Sequence, residues 1–236
     1  MKKLKRKISI TTNLILLLVF TAVFAVSFFP ESALPIYGGQ EIDAIYNGNR
    51  ENNKVSLMFN VYENTEIVNK IVETLDSYGA KATFFVGGCW ADDNAETLKL
   101  ILNSGHELAN HGYFHKDHKN LNYQKNKEEI QTTGVVVKAL CGAELNLFAP
   151  PSGSFSATTL EVAEELGYKV IMWSKDTIDW RDADKNKVFS RATQGISNGD
   201  LVLMHPKKHT LLALPSILDY YKTIGLNVVT VSDNLL

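Results

Sequence analysis

Six histidines occur in the 236 residues, and four of them crowd into positions 106–118. His111 and His115 are four apart, which on a helical turn puts both imidazoles on one side and lets them share a metal ion. His118, three further on, could contribute as well, though its flanks Lys116 and Lys119 read as a solvated face. His106 opens an apolar run, where a structural role is expected. Alone, a His-x3-His pair fits two surface or capping histidines equally well, and a zinc site wants a third protein ligand, usually a carboxylate. Asp176 and Asp179 stand three residues apart before Trp180, either as working acids or as a helix-capping turn. His205 follows Leu201–Met204 and precedes Pro206. It is either a satisfied core residue or a proton donor whose pKa is raised by a nearby carboxylate such as Asp176. No Gly-x-Ser-x-Gly element and no glycine-rich phosphate loop is present, which counts against serine hydrolases and nucleotide cofactors.

These residues fall at the ends of short apolar runs. The runs are Val55–Asn60, Ala82–Val86, His106–Ala109, Asn146–Ala149, Lys169–Trp173, Leu201–Met204 and Asn227–Val231. Between them lie helical patterns such as Ile67, Val68, Ile71, Val72 and Leu75, closed by Gly79, Gly105, Gly167 and Gly225 where a left-handed residue is wanted. Strand–helix alternation of this kind predicts a parallel α/β fold, as a closed barrel or an open doubly wound sheet. In such folds the carboxyl ends of the strands carry the chemistry. Asn60, Asn110-His111, Ala149-Pro150-Pro151, Ser174-Lys175-Asp176 and His205 would then converge on one mouth.

Composition separates a short leader from this body. Gly (15), Pro (6) and Cys (2) exclude collagen-like, disordered and disulfide-dense classes. The formal charge is −2, but residues 1–37 hold five of the 24 basic and one of the 26 acidic residues, leaving 19 against 25 and a net of −6 in the remainder. Nothing in that balance suggests a nucleic-acid partner. After the cluster Lys2–Lys7, residues Ile8–Phe29 carry no charge and would span about 33 Å as a helix, enough to cross a bilayer. Five preceding cations would keep that end cytoplasmic and export the rest. The expectation is a basic tip at 1–7, a single-pass transmembrane signal anchor at 8–29, a linker at 30–51 and a domain at 52–236 outside the cell membrane; secretion after signal-peptide cleavage is the alternative. Cys89 and Cys141 could form a disulfide there, though two isolated cysteines predict nothing firm.

Across residues 52–234 the motifs occur in an order that resembles the polysaccharide deacetylase family, the NodB-homology domain of carbohydrate esterase family four. His111-Gly-Tyr-Phe-His115 is similar to its His-x3-His, and Ala149-Pro150-Pro151-Ser152-Gly153 to its Arg-x-Pro-x-Gly. Asp176-Thr-Ile-Asp179-Trp180 resembles its Asp-x-x-Asp-Trp block, and Leu203-Met204-His205 its last motif. The resemblance implies a distorted (β/α)7 barrel and a divalent metal, commonly zinc, held by Asp-His-His that polarises an acetamide carbonyl. It also implies an Asp base oriented by an Arg, and a His that protonates the leaving amine. By that resemblance His205 and Asp176 are catalytic, His111 and His115 bind metal, and Trp180, Pro151 and Asn60 contact the substrate.

The first motif departs from the pattern, reading Met58-Phe59-Asn60-Val61-Tyr62. Asn60 replaces the base, Val61 the metal carboxylate and Ala149 the Arg. An amide accepts no proton at neutral pH, and valine offers no ligand atom. The stretch Phe59–Glu66 resembles an envelope- and sporulation-associated branch of the family. Glu66, with Glu63 second, is expected to supply the missing carboxylate; the alternative is that both are ordinary first-turn helix acids. Two functions remain: a membrane-anchored deacetylase of N-acetylated polysaccharide (peptidoglycan or chitin-like), or a glycan-binding pseudoenzyme. An acetylxylan-type esterase is a third.

Overall fold

The first strand of the body shows how the site is placed. In the computed structural model, β1 (Lys54–Val61) is buried along nearly its whole length, as expected for a parallel strand covered on both faces. Its side chains alternate. Val55, Leu57, Phe59 and Val61 join Val68, Ile71, Val72 and Leu75 of helix α1 (Thr65–Ser77) in the outer core. Met58 turns inward to meet Phe85, Ala109, Leu147, Ala149, Ile171 and Leu201. Period-two alternation then makes Asn60 the next inward residue, at the carboxyl end of the strand.

The remaining elements repeat this unit. They are β2 (Thr83–Val86), the short α2 (Gly88–Asp92), α3 (Ala95–Asn103), β3 (Glu107–Asn110) and α4 (Tyr123–Cys141). There follow β4 (Leu147–Phe148), α5 (Ala157–Glu165), β5 (Lys169–Val170), β6 (Lys175–Asp176), α6 (Lys185–Thr193), β7 (Leu201–Met204), α7 (Lys208–Thr223), β8 (Asn227–Val228) and α8 (Val231–Asn234). The sheet order is β5-β4-β3-β2-β1-β7-β6, every neighbour parallel, with β8 paired to the start of β1. The four glycines expected to end helices, Gly79, Gly105, Gly167 and Gly225, all have positive φ.

The two outermost strands, β5 and β6, are separated by only residues 171–174. Six strand spacings of a flat sheet would hold them about 29 Å apart, whereas five extended peptide steps reach about 17 Å. The sheet must therefore curl, and the structure is a parallel barrel rather than an open doubly wound sheet. Lys175–Asp176 gave no apolar run in the sequence because this strand is two polar residues long.

The seam is filled from an unexpected place. Ile45 bridges to Ile171 in parallel, its N–H donating to Val170 O at 2.8 Å and its carbonyl accepting from Met172 N at 2.7 Å. Gly48 N–H donates to Gly199 O at 2.7 Å, and Arg50 pairs with the buried Asp200 at 3.1 Å. Residues 44–50, read from sequence as the end of a linker, are thus bonded into the barrel wall. The run Ala44-Ile45 is too short to register as a strand in sequence.

The structure describes residues 43–236, with 17, 18, 20, 21, 36, 37, 40 and 41. The basic tip 1–7, the span 8–29 apart from those four helical positions, and most of 30–42 lie outside the described residues. Among the described residues no helix is long and apolar enough to cross a membrane.

Candidate active site

The carboxyl ends of the strands enclose a cavity of about 430 Å³. Asn60 enters from β1, His111 and His115 from the loop after β3, and Ser152 from the turn after β4. Trp173, Asp176 and Trp180 come from around β6, and Leu203 and His205 from the end of β7. A second cavity of about 470 Å³ lies at the opposite end of β1, around Tyr78, Lys81, Lys222 and Asn227, and gathers no histidine or carboxylate.

His111 is buried and donates from Nδ1 to the Ala149 carbonyl at 2.8 Å. That bond fixes the tautomer and leaves Nε2 with its lone pair free. Burial, with His115 beside it, pushes the imidazole pKa down to about 3, so it is neutral. The His115 ring stands 5.2 Å away, edge to face, on a backbone with φ of 53°. Left-handed backbone at a non-glycine costs energy, here spent turning His115 back toward His111. Tyr62 packs against His115 at 5.1 Å and donates its hydroxyl to the Tyr113 carbonyl.

On the other side of the cavity, Asp179 is the carboxylate bonded to His205. Its Oδ1 lies 2.7 Å from His205 Nδ1, its Oδ2 accepts the His205 backbone N–H at 2.7 Å, and the Thr210 hydroxyl donates to Oδ2 at 2.6 Å. Burial raises the Asp179 pKa, but the His205 and Thr210 bonds outweigh it and hold the carboxyl below its usual range. The expectation that Asp176 tunes His205 is corrected: Asp176 lines the cavity but spends Oδ1 on the Ile178 N–H at 2.7 Å. Ile178 has φ of 52°, and this kink turns Asp179 back toward His205.

Other expectations also shift. Glu66 does not reach the cavity; it is exposed on the first turn of α1 and paired with Lys70 at 2.6 Å, the ordinary helix-acid arrangement. Glu63 does line the cavity, but its carboxylate is paired with Lys207. Pro151 is buried beneath the turn, and Ser152 presents itself to the cavity instead. His118 is fully buried, not solvated, with Nδ1 2.7 Å from Asn126 Oδ1. His106 lies away from the cavity, accepting from Ala82 N–H at 3.2 Å. Trp180 is half exposed at the rim, and Cys89 and Cys141 are not bonded to each other. Glu129 and Tyr62 also bear on the site, although a lone Glu on a helix and a Tyr after an apolar run carry no signal in sequence.

A divalent cation would find two imidazoles here and no ligating carboxylate; among the described residues no three His, Cys, Asp or Glu side chains are grouped to hold one. Val61 is wholly buried in the outer core. Asn60 Oδ1, however, is buried, lines the same cavity and has no hydrogen-bond partner among the described residues. An amide oxygen is a neutral donor suited to a hard cation. The donor set therefore fits a cation held by His111, His115 and Asn60, more weakly than a carboxylate set would hold it.

The family model for polysaccharide deacetylase matches residues 47–171. The chain belongs to the polysaccharide deacetylase family. This deacetylase-family chain is 33% identical over 191 residues to the protein YlxY of Bacillus subtilis, covering 81% of this chain and 60% of that protein. It is 29% identical over 182 residues to a peptidoglycan-N-acetylglucosamine deacetylase of Bacillus cereus, covering 75% of this chain and 66% of that one. Among solved structures it resembles a carbohydrate esterase family 4 pseudoenzyme from Bacillus anthracis, with TM-score 0.81, 32% identity, 84% of this chain and 70% of that chain. A mutant of that pseudoenzyme with restored enzymatic activity gives the same TM-score at 30% identity, covering 84% of this chain and 73% of the mutant's. The chain spans less than two thirds of the length of both curated relatives.

Proposed function

We propose that this protein is a polysaccharide deacetylase-like hydrolase that removes N-acetyl groups from cell-envelope glycan of the peptidoglycan or chitin type, with low turnover. The observation that carries the reading is the Asp179–His205 pair standing across one cavity from His111 and His115. Asp179 holds Nδ1 and stabilises an imidazolium, leaving Nε2 to give its proton to the departing sugar amine as the C–N bond breaks. Trp173, Trp180 and Leu203 supply apolar walls for the acetyl methyl and the sugar face. When bound at His111, His115 and Asn60, a divalent cation such as zinc would supply Lewis-acid polarisation of the acetamide carbonyl. Asn60 cannot take a proton from the attacking water, which is why turnover is low. The names of the relatives support peptidoglycan as the substrate class.

Asn60, Val61 and Ala149 favour a second reading, a glycan-binding pseudoenzyme that keeps the groove, and the likeness to the Bacillus anthracis pseudoenzyme supports it. Acetate release from N-acetylglucosamine oligomers and peptidoglycan, with and without zinc or cobalt, separates the two. Release that disappears in His111→Ala establishes the hydrolase. Glycan binding without acetate across the panel establishes the binding protein. The basic tip followed by 22 uncharged residues supports a single-pass membrane anchor with the domain outside; protease accessibility of the domain in intact cells tests it.

A further inference from the structure

His111 and His115 are joined by Gly-Tyr-Phe in no regular secondary structure, yet their rings meet at a defined angle. A three-residue loop of this kind would sample many conformations unless its backbone groups were tied down. Five of its six backbone polar groups are tied. Gly112 N–H donates to Asn110 Oδ1 at 2.9 Å, and the carbonyls of Gly112 and Tyr113 accept from Gly88 and Cys89 at 2.9 and 3.1 Å. The N–H groups of Tyr113 and Phe114 both donate to one oxygen, Glu129 Oε2, at 2.8 and 2.7 Å.

Glu129 belongs to α4 and is buried. Among the described residues no lysine or arginine pairs with it, so the two loop N–H groups carry much of the compensation that a buried carboxylate demands. A Cβ at Gly112 would stand 3.5 Å from Glu129 Oε2 and 3.1 Å from His118 Nε2, so carboxylate and loop are in close contact.

We propose that Glu129 is the positioning residue of the dihistidine pair: its carboxylate fixes residues 112–114 so that His111 and His115 face each other, and it places a buried negative charge behind them. The loop part stands on geometry alone; the consequence for a cation rests on the function proposed above. The anion partly replaces the charge that Val61 no longer brings, from behind the imidazoles instead of as a ligand.

The test uses the metal-free full chain and two variants, Glu129→Gln and Glu129→Ala. Amide exchange at Tyr113 and Phe114 and the ring-to-ring contact of His111 and His115 are read by NMR, and zinc affinity by calorimetry. In Glu129→Ala, exchange at 113 and 114 rises at least tenfold relative to β3, the ring contact disappears, and zinc binds at least tenfold more weakly. Glu129→Gln keeps an acceptor oxygen, so exchange rises less than threefold while zinc affinity still falls. Val137→Ala, buried on the same helix, controls for general destabilisation and keeps the ring contact. A folded Glu129→Ala with unchanged exchange and ring contact overturns the proposal. Should it fail to fold, unchanged zinc affinity in Glu129→Gln overturns it. A wild-type chain that takes up no zinc overturns the cation half and the metal reading above it, while exchange and ring contact still decide the positioning half.

Discussion

Asp179 grips His205 at two points, the imidazole Nδ1 and the backbone N–H, each at 2.7 Å. Thr210 adds a third donor at 2.6 Å, so one buried carboxylate joins the end of β7 to the first turn of α7. Asp179→Asn must turn an NH2 toward at least one of these donors. The expected loss is about 2–4 kcal/mol in urea denaturation, with any acetate release falling at least tenfold. Asp176→Asn, which keeps an acceptor for Ile178 N–H, should stay within about 0.5 kcal/mol of wild type.

Acid should weaken the fold well above the carboxylate range. Burial lowers the pKa of His111 to about 3 and that of His106 to about 4, and lowers His115 and His118 as well. Below about pH 6.5 the unfolded chain therefore binds protons that the folded chain refuses, and stability falls as pH falls. His111 alone should cost roughly 2 kcal/mol between pH 7 and pH 5. Denaturation curves at the two pH values check this, and His111→Asn should show a loss smaller by about that amount.

Val61→Asp would put a carboxylate into the apolar layer between β1 and α1. Metal-free protein should lose more than about 2 kcal/mol, because the new charge is buried without a partner. Zinc should not return the loss, because this carboxylate faces α1 and not the cavity that holds His111 and His115. A urea denaturation curve of the metal-free variant that overlays the wild-type curve would count against Val61 lying in that layer.

Glu66→Ala is expected to leave zinc uptake, acetate release and the thermal midpoint unchanged. Its carboxylate meets only Lys70 on the exposed side of α1. Loss of zinc on this substitution would return Glu66 to the site.

Much of this arrangement was legible in the residues. Polar residues closing apolar runs marked the strand ends, and Asn60, His111, Asp176 and His205 do meet in one cavity. What stayed hidden depends on single backbone conformations and distant packing. Asp176 and Asp179 are chemically alike, and only the left-handed turn at Ile178 decides which one faces His205. Glu129 sits beside Glu128 on a polar-looking helix, and nothing local says that one is buried. Glu66 lies off the cavity, because proximity in sequence to position 61 says nothing about which way a helix turns its first residues.

The bridge between Ile45 and Ile171 has a consequence for how the molecule can be shortened. Removing residues 43–51 would strip the partners from Val170 O and Met172 N, leaving a raw strand edge on an otherwise covered sheet. Such an edge accepts the next molecule's strand as readily as its own. Chains trimmed to residue 52 should self-associate through this edge, and chains that retain residue 43 should stay monodisperse, so the nine residues upstream of the motifs guard solubility as well as closing the wall.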